Sequence, residues 1–237
     1  MNIVITGASK GIGLAIAERF SHETTPHSFA LCARNETELG ATRDQLAKTY
    51  PQHSYYCGVC DVSNEEQVLR FVGLCNDKLG TIDILVNNAG FGIFKPVTEL
   101  SVSEFRSVLG ANLRGVFLLT KNLLPAMRAK KSGTVITISS IAGKNGFSGG
   151  GAYCASKFAV RGLMQCLFLE VRTDNIRCIT ICPGSVETDF FKDIHNPNTS
   201  TKMLSASDIA ESVWLSAYLP ISATISEIEI RPTNPKG

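Results

Sequence analysis

The sequence predicts an α/β fold in which helices cover both faces of a seven-stranded parallel β-sheet, a three-layer αβα sandwich. Seven short apolar runs alternate with helix-length segments along the 237 residues, as expected of repeated βαβ units. The runs are apolar throughout, which is typical of strands that are buried on both faces. A glycine-rich turn joins the first run to the first helical segment. We therefore expect one doubly wound domain over residues 1–237.

The predicted strands are short and rich in β-branched and aromatic residues. They lie at residues 2–6, 28–33, 54–59, 82–87, 133–139, 176–182 and 226–231. The helical segments between them lie at about 11–22, 36–49, 64–79, 102–130, 151–173 and 205–219. Right-handed crossovers between successive parallel strands would place these helices on both faces of the sheet.

The composition describes a globular chain, since 44% of the residues are hydrophobic, 19% are charged and the net charge is +2. No block of basic residues suggests nucleic acid or an anionic membrane surface as a partner. No apolar run reaches the roughly 18 residues of a membrane span, and no signal peptide is apparent. No cluster of metal-binding side chains has the spacing of a metal site. We therefore expect a cytoplasmic protein without a bound metal.

The eight cysteines are expected to be reduced. Several lie in apolar runs such as IRCITIC, where cysteine behaves as a small hydrophobic residue. Cys57 and Cys60 form a CxxC pair, but no second pair or nearby histidine supports a zinc site. We interpret both as packing residues.

The segment VITGASKGIG joins the first predicted strand to the first predicted helix, with glycines at Gly7, Gly11 and Gly13. Glycine lets the backbone turn tightly and approach a pyrophosphate, and the start of a helix supplies N–H groups and a positive dipole. The spacing is GxxxGxG, and no GK[ST] follows that would indicate a nucleoside triphosphatase. Because the turn lies between a strand and a helix, we favour a Rossmann-type dinucleotide site over a purely structural turn.

The end of the second predicted strand indicates which nicotinamide dinucleotide binds. A carboxylate there would accept a hydrogen bond from the 2′-hydroxyl of NAD(H). Ala33 occupies this position, Arg34 follows it, and Lys10 lies inside the glycine turn. Two cations with no opposing acid suit the 2′-phosphate of NADP(H). The alternative is that both cations are simply solvated.

Tyr153 and Lys157 stand four residues apart behind three glycines, in GGGAYCASK. In a helix these positions share a face. A neighbouring ammonium would lower the phenol pKa and make the phenol a usable acid and base. Taken alone, the pair is more typical of an ordinary helix surface.

Seven motifs occur in an order and spacing that resemble the short-chain dehydrogenase/reductase family over nearly the whole chain. They are TGASKGIG at 6–13, Asp61 in CDV, NNAG at 87–90, Asn112 in GANLRG, Ser140 in ISSIAG, Tyr153 and Lys157 in YCASK, and PGSVET at 183–188. The resemblance implies a single-domain, NADP(H)-dependent enzyme that reduces a carbonyl group, or oxidises the corresponding alcohol.

The resemblance also implies the catalytic residues. Tyr153 would exchange a proton with the substrate oxygen, and Ser140 would hydrogen-bond the same oxygen. Lys157 would lower the tyrosine pKa and hold the nicotinamide ribose. The backbone carbonyl of Asn112 would hold a water molecule that relays protons to the lysine; a buried-network or capping asparagine is the alternative.

A larger set is implied to bind the cofactor. It comprises Gly7, Ser9, Lys10, Gly11, Ile12, Gly13, Arg34, Asn35, Asp61, Val62, Asn88, Ala89, Gly90, Tyr153, Lys157, Pro183, Gly184, Val186 and Thr188. Among them, Asp61 would bind the adenine, Gly90 would line the adenosine ribose, and Thr188 would bind the carboxamide or a phosphate.

Phe94, Phe147 and Phe190 are the predicted substrate-binding residues, and the polar, turn-rich segment at about 189–204 is a predicted substrate lid. Their character favours a medium-sized ketone or aldehyde with an apolar or flat body. The chain ends in EIEIRPTNPKG instead of the DGG motif of many members. That ending resembles sepiapterin reductase-like and broad-specificity branches and argues against the usual fatty-acid 3-oxoacyl reductase. A pteridine reductase and a 3-oxoacyl thioester reductase are the alternatives within the class.

Two other function classes remain as alternatives: a non-catalytic NADP(H)-binding sensor, and a Ser–His–Asp hydrolase. The first often lacks the tyrosine or lysine. The second needs a serine on a GxSxG elbow and a placed histidine, and His22, His27, His53 and His195 show no such context. The resemblance further implies a homodimer or homotetramer built through the helices at 102–130 and 151–173. We expect these helices to present Phe117, Leu118, Leu163 and Phe168 outward.

Overall fold

The structure is a computed structural model that describes residues 1–191, 203–220 and 222–235. Its seven strands form one parallel sheet in the order β3-β2-β1-β4-β5-β6-β7. The strands are β1 Asn2–Thr6, β2 Ser28–Ala33, β3 Ser54–Val59, β4 Ile84–Asn87, β5 Gly133–Ile138, β6 Ile176–Pro183 and β7 Glu227–Ile230. The strand order reverses between β1 and β4, which is where ligands bind in sheets of this kind.

In the part of the chain that the structure describes, seven α-helices cover the sheet. They are α1 Gly11–Ser21, α2 Glu36–Thr49, α3 Glu65–Leu79, α4 Val102–Leu109, α5 Gly115–Lys130, α6 Gly151–Val171 and α7 Ala206–Ala217. Among the described helices, none has the combination of length and apolar character that crossing a membrane requires.

Two hydrophobic cores lie on opposite faces of the sheet, because successive side chains of a strand point to opposite faces. Ile3 and Ile5 of β1 pack with Phe20 of α1 on one face, together with α2 and α7. Val4, between them, packs on the other face with Leu119 of α5, together with α3 and α6. The predicted three-layer αβα sandwich is confirmed.

The two members of the CxxC pair point to opposite faces of the sheet. Cys57 packs against one core, and its thiol donates to the Leu39 carbonyl at 3.8 Å. Cys60 is buried in the other core. The pair is therefore part of the packing, and all eight cysteines are free.

The predicted helix at 102–130 is wrong in one respect, since a π turn at Gly110–Arg114 divides it into α4 and α5. The extra residue in a π turn rotates the following side chains by about 100°. Phe117 is consequently 47% exposed, whereas Leu118, which we expected to face outward, is buried. Smaller differences affect β4, which begins at Ile84, and α6, which ends at Val171.

The helices differ in how their first turns are capped. Asn35, Asn64, Ser101 and Ser205 cap α2, α3, α4 and α7 with their side chains, and each of these helices has an acid in its first turn. Neither α1, which follows Lys10, nor α6, which follows Gly150, has a side-chain cap or an early acid. The N–H groups at these two helix starts are therefore without side-chain acceptors and attract an anion or a polar ligand.

Candidate active site

The glycine turn and the NNAG turn lie side by side at the carboxyl edge of the sheet. Gly7 and Gly11 have φ angles of +65° and +57°, which favour glycine. A Cβ on Gly13 would lie 2.2 Å from the Gly7 carbonyl oxygen and 2.6 Å from Nδ2 of Asn88. Backbone and side chain are thus in direct contact here, which only glycine permits.

Thr6 and Asn88 join these two turns. The backbone N–H groups of Asn88 and Ala89 each donate to the Thr6 hydroxyl at 2.9 Å. The Asn88 amide donates to the carbonyl oxygens of Thr6 at 2.9 Å and Gly7 at 3.1 Å. Asn88 therefore holds the glycine turn in shape.

The start of α1 faces Thr188. The Thr188 methyl lies 3.4 Å from the position of a Cβ on Gly11, so the hydroxyl-bearing end of the PGSVET segment borders the uncapped helix start. Ile12 packs against the core beneath. This combination of N–H groups, glycine and hydroxyl suits a phosphate.

The expectation of two cations without an opposing acid is wrong. Lys10 pairs with Asp189 at 3.2 Å, and the Ser9 hydroxyl lies 3.5 Å from Oε2 of Glu38, a residue in the first turn of α2. Arg34 lies over the Phe91 ring at 5.9 Å. The sequence separation of Asp189 and Glu38 from the glycine turn hides both acids until the chain is folded.

Asp61 and Asn35 are engaged in local structure. Oδ1 of Asp61 accepts from the backbone N–H of Ser63 at 2.9 Å and from its hydroxyl at 2.7 Å. Asn35 caps α2 by accepting from Glu38. Val62 is buried and leaves no room for a Cβ on Gly115, which would lie 2.8 Å from its methyl carbon. All three lie near the end of β2 or β3, where the adenosine half of a dinucleotide would extend.

Three of the four predicted catalytic side chains converge beyond the ends of β5 and β6. The Ser140 hydroxyl donates to the Pro183 carbonyl oxygen at 3.4 Å and lies close enough to Tyr153 to lower the pKa of its phenol. Nζ of Lys157 donates to the Ile138 carbonyl at 2.8 Å and lies 5.7 Å from the centre of the Tyr153 ring. Tyr153 and Lys157 thus share a helix face, as predicted.

Asn112 lies inside the π turn, and its side chain is fully engaged. Its amide oxygen accepts from the Phe91 N–H at 3.0 Å, and its amide nitrogen donates to the Phe91 carbonyl and to the Ser156 hydroxyl, both at 2.9 Å. A Cβ on Gly90 would lie 2.7 Å from the Asn112 oxygen and 3.8 Å from Nζ of Lys157. The Asn112 side chain therefore belongs to a buried hydrogen-bond network and brings the NNAG turn against α6, while the role of its backbone carbonyl stays a prediction.

The expected lowering of the tyrosine pKa does not occur in the protein alone. Burial raises the pKa of Tyr153 to about 12, and the hydrogen bond with Ser140 only partly opposes this rise. Burial also lowers the pKa of Lys157 to about 8. The reason is that both groups lose water, which disfavours the phenolate and the ammonium alike.

Phe94 and Phe190 flank Tyr153, and Phe147 packs on Phe94; their role in binding the substrate stays a prediction. The rings of Phe94 and Phe190 each lie 5.5 Å from the Tyr153 ring, and Phe147 stacks on Phe94 at 5.8 Å. Phe147 is 44% exposed, so the cluster opens to solvent on that side. Residues 192–202 of the predicted lid lie outside the described residues.

The PGSVET segment is supported from behind by the end of the chain. The Gly184 N–H donates to the Ile230 carbonyl at 2.8 Å, and Pro232 lies 3.4 Å from the position of a Cβ on Gly184. Val186 is buried and pairs with Leu204. The segment is thereby positioned beside Ser140.

Three residues with a part in this arrangement were not among the predicted site residues: Thr6, Glu38 and Ser156. Thr6 and Ser156 lie within recognised motifs, so a hydroxyl beside a glycine turn or a catalytic tyrosine was an available signal. Glu38 carries no local signal, because only its tertiary contact with Ser9 distinguishes it.

Comparison with known proteins agrees with this geometry. Residues 1–199 match the family model of the short chain dehydrogenases, so the chain belongs to this family of oxidoreductases. A sepiapterin reductase from Chlorobaculum tepidum is 33% identical over 248 residues, covering 98% of this chain and 96% of that protein.

Solved structures share the fold over nearly the full chain. An alcohol dehydrogenase from the archaeon Thermococcus sibiricus, complexed with 5-hydroxy-NADP, has a TM-score of 0.88 and 30% identity, covering 96% of this chain and 94% of that chain. A metagenomic short-chain oxidoreductase in complex with NADP has a TM-score of 0.84 and 32% identity, covering 98% and 97% of the two chains.

We predict opposite outcomes for two glycine-to-alanine substitutions. Gly13→Ala should lower the free energy of unfolding by about 1–3 kcal/mol, because its Cβ has no space. Gly40→Ala in α2 should raise it by about 0.5–1 kcal/mol, because no atom lies within 4 Å of the new Cβ. Urea unfolding of both variants checks this, and equal effects would contradict the close contact at Gly13.

Proposed function

We propose that this protein is an NADP(H)-dependent reductase that converts a ketone or aldehyde to an alcohol, and catalyses the reverse oxidation. The observation that carries the proposal is the convergence of Ser140, Tyr153 and Lys157 next to a glycine turn with an uncapped helix start. Each of the three has a chemical task in carbonyl reduction, and a solely structural site has no need of a buried ammonium beside a phenol.

The residues present fit a nicotinamide dinucleotide. The start of α1, Thr188 and the glycine turn would hold the pyrophosphate, and Asp61 and Gly90 would hold the adenosine half. Lys157 and the PGSVET segment would hold the nicotinamide half. When bound, NADPH supplies the hydride that reduces the carbonyl carbon.

The side chains of this protein would manage the proton and the oxygen. The Tyr153 hydroxyl donates a proton to the carbonyl oxygen, and the Ser140 hydroxyl stabilises the negative charge that develops on that oxygen. Lys157, with a pKa of about 8, is mostly charged at neutral pH and favours the phenolate that remains. The aromatic cluster keeps water away from the reacting groups.

NADP(H) is proposed over NAD(H) because Lys10 and Arg34 border the place of the adenosine ribose. The two solved relatives complexed with NADP or its 5-hydroxy derivative support this choice. Asp189 and Glu38 reduce the positive charge at the same place, so the preference should be moderate.

The proposed substrate is a medium-sized carbonyl compound with a flat or apolar body, which Phe94, Phe147 and Phe190 would contact. The sepiapterin reductase relative favours a pteridine side-chain carbonyl as one candidate. A 3-oxoacyl thioester is the other candidate within this class. A non-catalytic NADP(H) sensor is the alternative from a different class, and it would bind the cofactor without turnover.

The partners we propose are this small-molecule substrate and further copies of the same chain, with no nucleic acid or membrane. A groove of about 460 Å³ between α4, α5 and α6 is lined by Phe105, Leu109, Leu113, Phe117 and Leu163. Burying this apolar face in a homodimer or homotetramer would remove it from water. A reducing, cytoplasmic location is proposed because the buried thiols would stay reduced there.

We predict that Tyr153→Phe abolishes turnover and spares cofactor binding. The rate of NADPH oxidation with a carbonyl substrate should fall about 10²- to 10⁴-fold, while the dissociation constant for NADPH stays within about twofold, a difference of about 0.4 kcal/mol. Tyr50→Phe, remote from the site at the end of α2, should leave both unchanged. Near-normal turnover of Tyr153→Phe would exclude the proton-donor role.

We predict that Glu38→Gln tightens NADPH binding about threefold to tenfold, because a negative charge is removed near the 2′-phosphate. NADH affinity should not improve. The control is Glu36→Gln in the same exposed helix turn. Fluorescence titration at low and high salt measures the effect, which should shrink as salt screens it. An equal gain for both cofactors would argue against the assigned phosphate position.

We predict that Phe117→Glu shifts the protein toward the monomer in sedimentation experiments. A charge in the middle of the groove would have to lose its water in the interface. Leu215→Glu provides the control, since Leu215 is 54% exposed on α7, outside the groove. A protein that is monomeric before substitution, or an unchanged assembly after it, would refute the interface.

A further inference from the structure

The unusual chain ending EIEIR forms β7 and presents two carboxylates to the site. Ile228 and Ile230 pack against the core that contains α1 and α7. Glu227 and Glu229 alternate with them and therefore face the opposite side, where α6 lies. β7 lies at the edge of the sheet, and both of its acids face α6. Each acid also pairs with Lys144, which lies four residues after Ser140.

The two acids form a network with three cations. Glu227 accepts from Nε of Arg161 at 2.8 Å and pairs with Nζ of Lys144 at 2.6 Å. Glu229 pairs with the same Lys144 nitrogen at 2.7 Å and with Arg231 at 2.5 Å. Glu227 is the member that joins two different elements.

Those two elements carry the candidate catalytic residues. A 3₁₀ turn, Ile141–Gly143, follows Ser140 directly, and Lys144 ends it. Arg161 lies one helical turn beyond Lys157 on α6. The Glu227 carboxylate thus contacts the segment after Ser140 and the helix that carries Tyr153 and Lys157.

The turn at Ile141–Gly143 also contacts α6 directly, so a shift of either element would be transmitted to the other. Nη1 of Arg161 donates to the Gly143 carbonyl at 2.6 Å. A Cβ on Gly143 would lie 2.7 Å from the Lys157 carbonyl oxygen. The Ala142 N–H donates to the Ser140 hydroxyl at 3.1 Å. A displacement of the turn would therefore move the Ser140 hydroxyl relative to Tyr153.

The network is shielded and stays ionised at neutral pH. The Lys144, Arg161 and Glu227 side chains are 25%, 20% and 27% exposed. Burial tends to raise the pKa of Glu227, but hydrogen bonds from Arg161 and Lys144 outweigh it and lower that pKa. Hydrogen bonds from Lys144 and Arg231 lower the pKa of Glu229 to about 2. Removing the Glu227 charge would leave Arg161 without this carboxylate and Lys144 with Glu229 alone.

We propose that Glu227 is a positioning residue that holds the Ser140 turn against α6 and so sets the contact between Ser140 and Tyr153. This inference rests on the proposed reductase function. Glu227 lies outside the aromatic cluster and the glycine turn. The hydrogen bond from Gly184 to Ile230 uses only backbone atoms. A side-chain substitution at Glu227 therefore leaves the PGSVET segment in place.

The test compares Glu227→Gln with Glu227→Asp, which keeps the charge, and with Glu211→Gln. Glu211 forms a comparable ion pair with Arg19 at 2.6 Å, away from the site. For Glu227→Gln we expect kcat to fall about 10- to 100-fold, with KM and the dissociation constant for NADPH unchanged. Glu227→Asp should recover part of kcat, and Glu211→Gln should leave it unchanged.

The pH profile separates positioning from simple stability. Ser140 lowers the pKa of Tyr153 through its hydrogen bond, so a displaced Ser140 should raise that pKa. The alcohol oxidation rate, which requires the phenolate, should then rise at a higher pH in Glu227→Gln than in the unsubstituted protein. An unchanged kcat, or a reduced kcat with an unchanged pH profile, would overturn the proposal.

Two further measurements keep the outcome decisive. If Glu227→Gln does not fold, Lys144→Met removes the tether from the turn while leaving the Glu227–Arg161 pair, and the same shift is expected. If the unsubstituted protein shows no turnover, the reductase proposal fails. Tyrosinate absorbance, measured with Tyr153→Phe as the reference, then decides this inference: a higher Tyr153 pKa in Glu227→Gln supports it, and an equal pKa refutes it.

Discussion

The Lys157 ammonium is a buried positive charge. The groups that stabilise it determine the arrangement of the site. An isolated buried charge is strongly unfavourable. The Ile138 carbonyl at the end of β5 accepts its hydrogen bond, and Gly90 leaves room beside it. The Asn112 side chain closes the same space from the π turn. The sheet, the NNAG turn and helix α6 must therefore all be correctly positioned to accommodate Nζ of Lys157.

Most buried polar side chains around the site are paired, in keeping with this requirement. Asn112 satisfies both backbone groups of Phe91 as well as Ser156, and Thr6 and Asn88 fix the two glycine-containing turns. Such networks specify one geometry when every member is satisfied. Within the described residues, only Oδ1 of Asn87 is a buried side-chain polar atom without a hydrogen-bond partner.

Much of this could be predicted from sequence because the relevant signals are local. The alternation of short apolar runs with helix-length segments predicted the αβα sandwich, and motifs such as YCASK placed Tyr153 and Lys157 on one helix face. The π turn at Asn112 was not predicted, and neither were the contacts of its side chain with Phe91 and Ser156, which are tertiary. The pairing of Lys10 with Asp189 and the contact of Ser9 with Glu38 were missed because they also join distant parts of the chain. The pKa of Tyr153 depends on burial, which a sequence does not report.

The uncapped starts of α1 and α6 have a consequence for the lifetime of the protein. Four other helices satisfy their first N–H groups with their own side chains, whereas these two leave them for a ligand. A ligand that binds only the folded state adds about 2.7 kcal/mol of stability at a concentration one hundred times its dissociation constant. Resistance to unfolding and proteolysis should therefore rise when a ligand occupies these helix starts.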